Sequence, residues 1–270
     1  MALNLKQKLS NNQNIYGICI LSTSPIWSKV VKGTGLDFVF LDTEHVPLDR
    51  TELTFLCQVY SAHGVAPIVR IPSPDPYAAC MAKDAGAVGV LAPYIESESQ
   101  VQQMVGATKY RPLKGERLQK VLTGKEELLP ALKSYLQNFN QDSLCFINIE
   151  SSIAVQRLDE LLGVPGLDGI VIGPHDLSIN MGLPEQYEHP DFERTVKEII
   201  HKARAKGLAA GIHFPAHPEY QIKWVKEGAN IVLHSSDMRL FRQKLAEDMG
   251  IIKKAVGDSH NLSTGSELAI

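Results

Sequence analysis

The chain has 270 residues, 44% of them hydrophobic and 21% charged, with a formal net charge of −3. That balance is ordinary for a globular protein and gives no electrostatic footprint for nucleic acid or an anionic membrane. No apolar run approaches the roughly 18 residues that span a bilayer, Met1–Gln13 lacks the apolar core of a signal peptide, and Cys19, Cys57, Cys80 and Cys145 show no CxxC or zinc spacing, so a cytoplasmic protein with reduced thiols is expected.

Taken in order, short apolar runs alternate with longer amphipathic stretches. Ile15–Leu21 reads as a strand and Ile26–Lys32 as a helix. Phe38–Leu41 is a second strand, rich in β-formers, that ends abruptly in Asp42, Thr43, Glu44 and His45; Thr51–His63 is the helix behind it. Ala66–Ile71 is the third strand, followed by a helix from about Pro76 to Ala85. Ala87–Ala92 is the fourth, followed by a helix over Ser97–Thr108 with Ser97 as its cap. Tyr110–Thr123 is basic, carries Pro112 and Gly115, and reads as a long loop near the active end or at a subunit contact. Lys125–Asn138 looks like an added helix.

Leu144–Ile149 and Ser152–Leu162 form the fifth strand–helix unit. Gly169–Ile172 is the sixth strand, followed by a loop over Gly173–His189 and an amphipathic helix over Phe192–Lys206. Ala209–His213 with Glu219–Glu227, and Asn230–His234 with Arg239–Val256, complete the series; the tail after Gly257 reads as mobile. Eight β-then-α units predict a single (β/α)8 barrel, an α/β fold, over residues 1–256 with a tail over 257–270. A doubly wound sheet would need a glycine-rich phosphate loop after its first strand, and Ile20–Ser24 is not one.

Active sites of such barrels lie at the C-terminal ends of the strands. There the chain offers Asp42, Glu44 and His45, then Arg70, then Asn148 and Glu150, then Gly173–Asp176, and finally His213, His234, Ser235 and Asp237. The opposite strand ends read as small or apolar. Glu150 and Asp176 follow adjacent strands; two converging carboxylates repel unless a cation lies between them, and oxygen ligation favours Mg²⁺ or Mn²⁺. The alternative is that each caps the helix or turn beside it. Arg70 needs an anion, either a substrate oxyanion or a structural partner. His45 is the best candidate base because imidazole titrates near neutrality. No proposed strand carries the lysine that a Schiff-base enzyme requires. The loops after the last two strands lack the glycines of a phosphate site.

Asp42–His45, Val69–Pro72, Asp84–Val90, Ile149–Ser151 and Gly173–Ser178 together resemble the class II pyruvate aldolases of the HpcH/HpaI type. That family includes 4-hydroxy-2-oxoheptanedioate aldolase and the 2-keto-3-deoxy sugar acid aldolases. The likeness runs from about Gly17 to the helix starting near Asp237. It implies a barrel that exchanges its last helix between partners and assembles as a hexamer, a trimer of dimers. It implies a divalent ion (Mg²⁺ or Mn²⁺, with Co²⁺ as a further choice) held by Glu150 and Asp176 and chelated by pyruvate.

Within that family pattern Arg70 stabilises the enolate and the backbone of His175 and Asp176 holds the pyruvate carboxylate. His45 is the base and Asp84 pairs with it. Asn148 stands close to the metal among the substrate-binding groups, where Gln is usual, with Asp42 and Glu44 in support. The segment after Gly115–Arg117 lacks the usual glycines, and Cys19 stands where many members have Trp. The expected reaction is reversible cleavage of a 4-hydroxy-2-oxo acid to pyruvate and an aldehyde. The alternatives are a coenzyme A thioester lyase of the citrate lyase β or malyl-CoA type, and a catalytically weak barrel acting as a binding protein.

Overall fold

The computed structural model describes residues 5–258 apart from position 216. In chain order the elements are α1 (Leu5–Ser10), β1 (Ile15–Ile20), α2 (Trp27–Val31), β2 (Phe38–Asp42), α3 (Arg50–Ala62), β3 (Ala66–Arg70), α4 (Pro76–Asp84), β4 (Gly89–Ala92), α5 (Glu98–Lys109), α6 (Gly115–Leu122), α7 (Pro130–Phe139) and β5 (Leu144–Ile149). They continue with α8 (Ser152–Gln156), α9 (Leu158–Leu161), β6 (Gly169–Ile172), α10 (Pro174–Asn180), α11 (Pro190–Ala205), β7 (Ala209–Phe214), α12 (Pro218–Lys226), β8 (Ile231–Ser236) and α13 (Asp237–Ala255). The eight strands pair in parallel in sequence order, and β8 closes on β1. The fold is the expected (β/α)8 barrel.

Alternation along each strand sorts the core into two layers. Phe38, Phe40, Ile68, Leu91, Phe146, Val171 and Leu233 fill the barrel interior, while Val39, Leu41, Val69, Ile147 and Ile170 face the surrounding helices. Gly17 is required by this interior: a Cβ there would stand 2.3 Å from the Phe38 ring. The same period of two, carried one step past the packed layer, delivers Asp42 after Phe40, Arg70 after Ile68, Asn148 after Phe146, and His213 after Gly211. The barrel itself therefore aims these polar side chains at one mouth.

Several expectations need correction. The N-terminal stretch forms α1, and Leu5 is buried against the foot of the barrel interior. The segment read as a loop over 110–123 contains α6. Its Leu118 and Leu122 lie against Gly106 of α5, where a Cβ would stand 2.8 Å from Leu122, so the glycine lets the two helices approach. The loop read over 173–189 begins with α10, started by Pro174 in the first helical position, where a missing N–H costs nothing. The added helix starts at Pro130, and the helix after Ser151 divides at Arg157. The expected tail lies outside the described residues beyond Asp258.

The foot of the barrel is also less apolar than expected. Buried Asp37 accepts from the Tyr16 N–H and pairs with Lys8, Asp168 accepts from the Cys145 N–H and pairs with Lys109, and Asn230 accepts from the Ala210 N–H. Each of these groups is occupied in holding strands together. The contrast between the two ends lies in how the polar groups are satisfied.

Candidate active site

Asp42 is fully buried at the end of β2. It receives Arg70 in a two-point contact, Nε to Oδ1 at 3.0 Å and Nη2 to Oδ2 at 2.5 Å, and its Oδ1 also accepts the Glu44 main-chain N–H at 2.9 Å. Burial alone would raise this carboxyl, but the hydrogen bonds and charge of Arg70 outweigh it and hold Asp42 below the ordinary range. Arg70 lies over the Phe40 ring at 5.2 Å, and the His213 ring meets the same Phe40 edge-on. The guanidinium is thus fixed from below by an aromatic ring and from one side by a carboxylate.

His45 Nδ1 lies 3.2 Å from Asp42 Oδ2 and 2.7 Å from Arg70 Nη2, and its side chain is 46% exposed. A bond to Asp42 requires the proton on Nδ1 and leaves Nε2 as an acceptor. A bond from Arg70, which only donates, requires the opposite tautomer. Glu44 Oε2 lies 3.1 Å from Arg70 Nε but makes no hydrogen bond, because that N–H is directed at Asp42. Burial raises the Glu44 carboxyl against the lowering effect of Arg70. Asp42, Glu44 and His45 stand close enough together to hold an ion. The Arg70 guanidinium already fills the cationic position among them, which argues against a metal there.

The second half of the mouth belongs to β5 and β6. Glu150 is 4% exposed, and its Oε1 accepts the Tyr94 main-chain N–H at 2.7 Å. Burial, reinforced by Asp176 and Glu44, pushes its carboxyl up to about 7. Ser151, not Glu150, caps α8, and Asp176 lies inside the first turn of α10, so neither carboxylate has the capping role considered as an alternative. Asn148 donates to the Val171 carbonyl at 3.2 Å and leaves Oδ1 buried without a partner. Gly173 opens the space beside them: a Cβ there would stand 2.7 Å from Glu150 Oε2. A buried carboxylate with a raised pKa, a neighbouring carboxylate, an orphaned amide oxygen and a cradle kept clear by glycine form a donor set that fits a hard divalent cation.

The expected pairing of Asp84 with His45 is not present within the chain. Asp84 is 68% exposed at the end of α4 and pairs with Arg111, and the carboxylate against His45 is Asp42. Asp84 lines a cavity of about 660 Å³ outside the barrel, between α3, α4 and α5, and not the barrel mouth. His175 is exposed and lies 3.5 Å from Glu185. His213 is partly buried, its Nε2 donates to the Ser235 carbonyl at 3.2 Å, and desolvation pushes it down to about 4. His234 follows the outward row of β8 and leaves Nδ1 buried without a partner. Asp237 is a clamp: its carboxylate accepts the N–H groups of Leu21 and Ser22 and ties the loop after β1 to the start of α13.

Residues 16–243 match the model of the HpcH/HpaI aldolase/citrate lyase family. The chain belongs to this family. It is 30% identical over 249 residues to a 2-keto-3-deoxy-L-rhamnonate aldolase of Escherichia coli strain UMN026, covering 92% of each chain. Among solved structures it is similar to an HpcH/HpaI aldolase of Desulfitobacterium hafniense, at 28% identity and a TM-score of 0.80 over 92% of this chain and 96% of that one. It is also similar to the citrate synthase SbnG, at 28% identity and a TM-score of 0.79 over 94% and 99%. The chain is a lyase of this family, and among the described residues no helix is long and apolar enough to cross a membrane.

Tyr94 is the site residue that sequence reasoning missed. The signal was available: an aromatic residue two positions past the last residue of the fourth strand, at the same end as every other candidate.

Proposed function

We propose that the protein is a divalent-metal-dependent aldolase that reversibly cleaves a 4-hydroxy-2-oxo acid into pyruvate and an aldehyde. The observation that carries this reading is Glu150, a buried carboxylate beside Asp176 with no cationic partner among the described residues, facing the Asp42–Arg70–His45 group across one mouth. Glu150 and Asp176 are the residues that would hold Mg²⁺ or Mn²⁺, and the bound ion would supply positive charge to the oxyanion that develops on the substrate. Support for the substrate class comes from the relatives named 2-keto-3-deoxy-L-rhamnonate aldolase.

The chain's own residues then divide the work. The N–H groups of His175 and Asp176, in the first turn of α10, have no partner within the helix and would receive the pyruvate carboxylate. His45, in the tautomer that donates Nδ1–H to Asp42, takes the proton of the C4 hydroxyl at Nε2. The C3–C4 bond breaks, its electron pair becomes the enolate of pyruvate, and the aldehyde leaves. Arg70 donates to the enolate oxygen, an interaction that strengthens as charge develops. Protonation at C3 completes pyruvate.

A Schiff base is not part of this reading. Among the described residues no strand carries a lysine, and Lys83, which burial pushes down to about 8, donates to the carbonyls of Ala87 and Val88 at the foot of the barrel. The test is a screen of hydroxy-oxo acids in which pyruvate release is coupled to lactate dehydrogenase. Activity should vanish with EDTA and return with Mg²⁺ or Mn²⁺. Inactivation by borohydride in the presence of pyruvate, with EDTA having no effect, would refute the proposal.

A further inference from the structure

His213 ends the inward row of β7, and its ring packs edge-on against Phe40 with 5.8 Å between centroids. Its Nε2 lies 3.2 Å from the Ser235 carbonyl oxygen. A carbonyl only accepts, so the proton sits on Nε2 and Nδ1 carries a lone pair. The carbonyl that fixes this tautomer is itself held. Ser235 stands at φ +56°, a backbone that an L-residue adopts at a cost, and its Oγ donates to the Pro215 carbonyl at 2.8 Å. Among the described residues nothing hydrogen-bonds His213 Nδ1. The side chain is partly open to solvent, and an inward-facing group in the last layer of the barrel meets solvent through the mouth. Desolvation keeps the imidazole neutral, so the lone pair persists near neutral pH.

The aldolase reading assigns work to one side of the mouth: His45 after β2, Arg70 on β3, Glu150 after β5 and the first turn of α10 after β6. The strands β7, β8 and β1 complete the ring. Polar groups on that side are spent within the fold. Asp237 accepts the N–H groups of Leu21 and Ser22, the Ser235 hydroxyl is bonded to Pro215, and Cys19 is buried. His213 Nδ1 is an acceptor in this sector that the fold does not use. We propose that His213 is a specificity-determining residue whose Nδ1 accepts a hydrogen bond from a substrate hydroxyl other than the one at C4, so that hydroxylated substrates are preferred to their deoxy counterparts. The proposal rests on the aldolase reading. Such a hydroxyl has two sources, the aldehyde or C3 of the oxo acid, and its chemistry toward Nδ1 is the same from either.

Substitution separates the acceptor from the ring. His213→Phe keeps an aromatic ring against Phe40 and removes both nitrogens; His213→Leu is a second acceptor-free variant should the first fail to fold. His213→Gln offers an amide N–H to the Ser235 carbonyl and an oxygen in place of Nδ1. With Mn²⁺-loaded enzyme, kcat/KM is compared within two pairs: glycolaldehyde against acetaldehyde in addition to pyruvate, and hydroxypyruvate against pyruvate in proton exchange at C3. In at least one pair the preference for the hydroxylated member should fall about 3- to 10-fold in the acceptor-free variants, the effect of one neutral hydrogen bond, and return in His213→Gln. The pair that responds identifies the half of the substrate that carries the hydroxyl. Wild-type crystals soaked with hydroxypyruvate or glycolaldehyde should place that hydroxyl about 3 Å from Nδ1.

Unchanged preferences in both pairs, an equal loss in His213→Gln, or soaked crystals with no hydroxyl at Nδ1 would each overturn the proposal. If the wild-type enzyme neither cleaves an oxo acid nor exchanges the pyruvate methyl protons, the aldolase reading fails separately, and the soaked crystals still decide whether Nδ1 takes a hydroxyl.

Discussion

Arg70 combines a structural and a chemical position. Its Nε and Nη2 are spent on Asp42, and Nη2 also meets His45; the remaining donors belong to the mouth. Arg70→Lys keeps the charge but loses the planar fork that fits Asp42 and a second acceptor together. The loss should fall on kcat, on the order of 10²–10³-fold. It should extend to two reactions that pass through the same enolate, proton exchange at the pyruvate methyl group and decarboxylation of oxaloacetate; wild-type rates in both, with slow cleavage, would assign Arg70 to the aldehyde instead. His45→Ala should cost about 10²–10⁴-fold in aldol rate with metal content preserved, since Glu150 and Asp176 are untouched; elemental analysis checks this. His213 makes a separate prediction, for stability. Its folded-state value of about 4 lies below the ordinary 6.5, so below 6.5 the unfolded chain binds a proton that the folded chain refuses. Stability from this residue is fully present above pH 6.5 and declines as pH falls toward 4, by about 3 kcal/mol at most. Melting curves across that window should show the decline, and His213→Leu should flatten it.

At the scale of elements, the strands were legible because burial on both faces demands continuous apolar runs, and each run of that kind is a strand in the structure. Their polar ends were legible for the complementary reason: Asp42, Arg70 and Glu150 interrupt apolar runs where a packed layer stops. The helices that escaped notice are those whose own residues read locally as loop. α6 has no buried residue of its own, and its Leu118–Val121–Leu122 spacing acquires meaning only against Gly106 of α5. α10 looked like a loop because Gly173, Pro174 and Asp176 are turn formers, although Pro174 is equally a helix starter. The orientation of Asp84 was not legible at all, since its partner Arg111 is set by the path of the segment between α5 and α6. Gly173 supplies the prediction at this scale. It ends β6 and starts α10, and its missing side chain is what leaves room for Glu150. Gly173→Ala should push Glu150 from its place, weaken Mn²⁺ binding in calorimetry and reduce activity, with little change in melting temperature; unaltered Mn²⁺ affinity would remove Glu150 from the ligand set.

At the scale of the whole molecule, the unfinished feature is α13. It runs from Asp237 to Ala255, and only Asp237 is buried. Phe241, Leu245, Met249 and Ile252 recur at spacings of four, four and three and are between 37% and 59% exposed, which is an apolar stripe of helical period with nothing on it among the described residues. The barrel has a matching deficiency. Tyr16 on β1, and Ile26 and Val30 beside the same seam, are also open to solvent, whereas the outward rows of β2 to β7 are buried under helices of the chain itself. A side chain of this size gains roughly 1.5–3 kcal/mol on full burial, so a stripe of four half-exposed residues leaves several kcal/mol unrealised in a lone copy. Exchange of α13 between two copies would cover the stripe and the seam in one step, and by two-fold symmetry would do so twice. We propose that the protein is an oligomer built from α13-exchanged dimers. Light scattering after size exclusion should give a mass well above the 29.7 kDa of one chain, and Phe241→Glu with Leu245→Glu should shift it toward that value while the barrel, whose core these residues do not enter, keeps its circular dichroism. A wild-type mass of 29.7 kDa at micromolar concentration, or a double variant that assembles as before, would show that α13 is not the exchanged element.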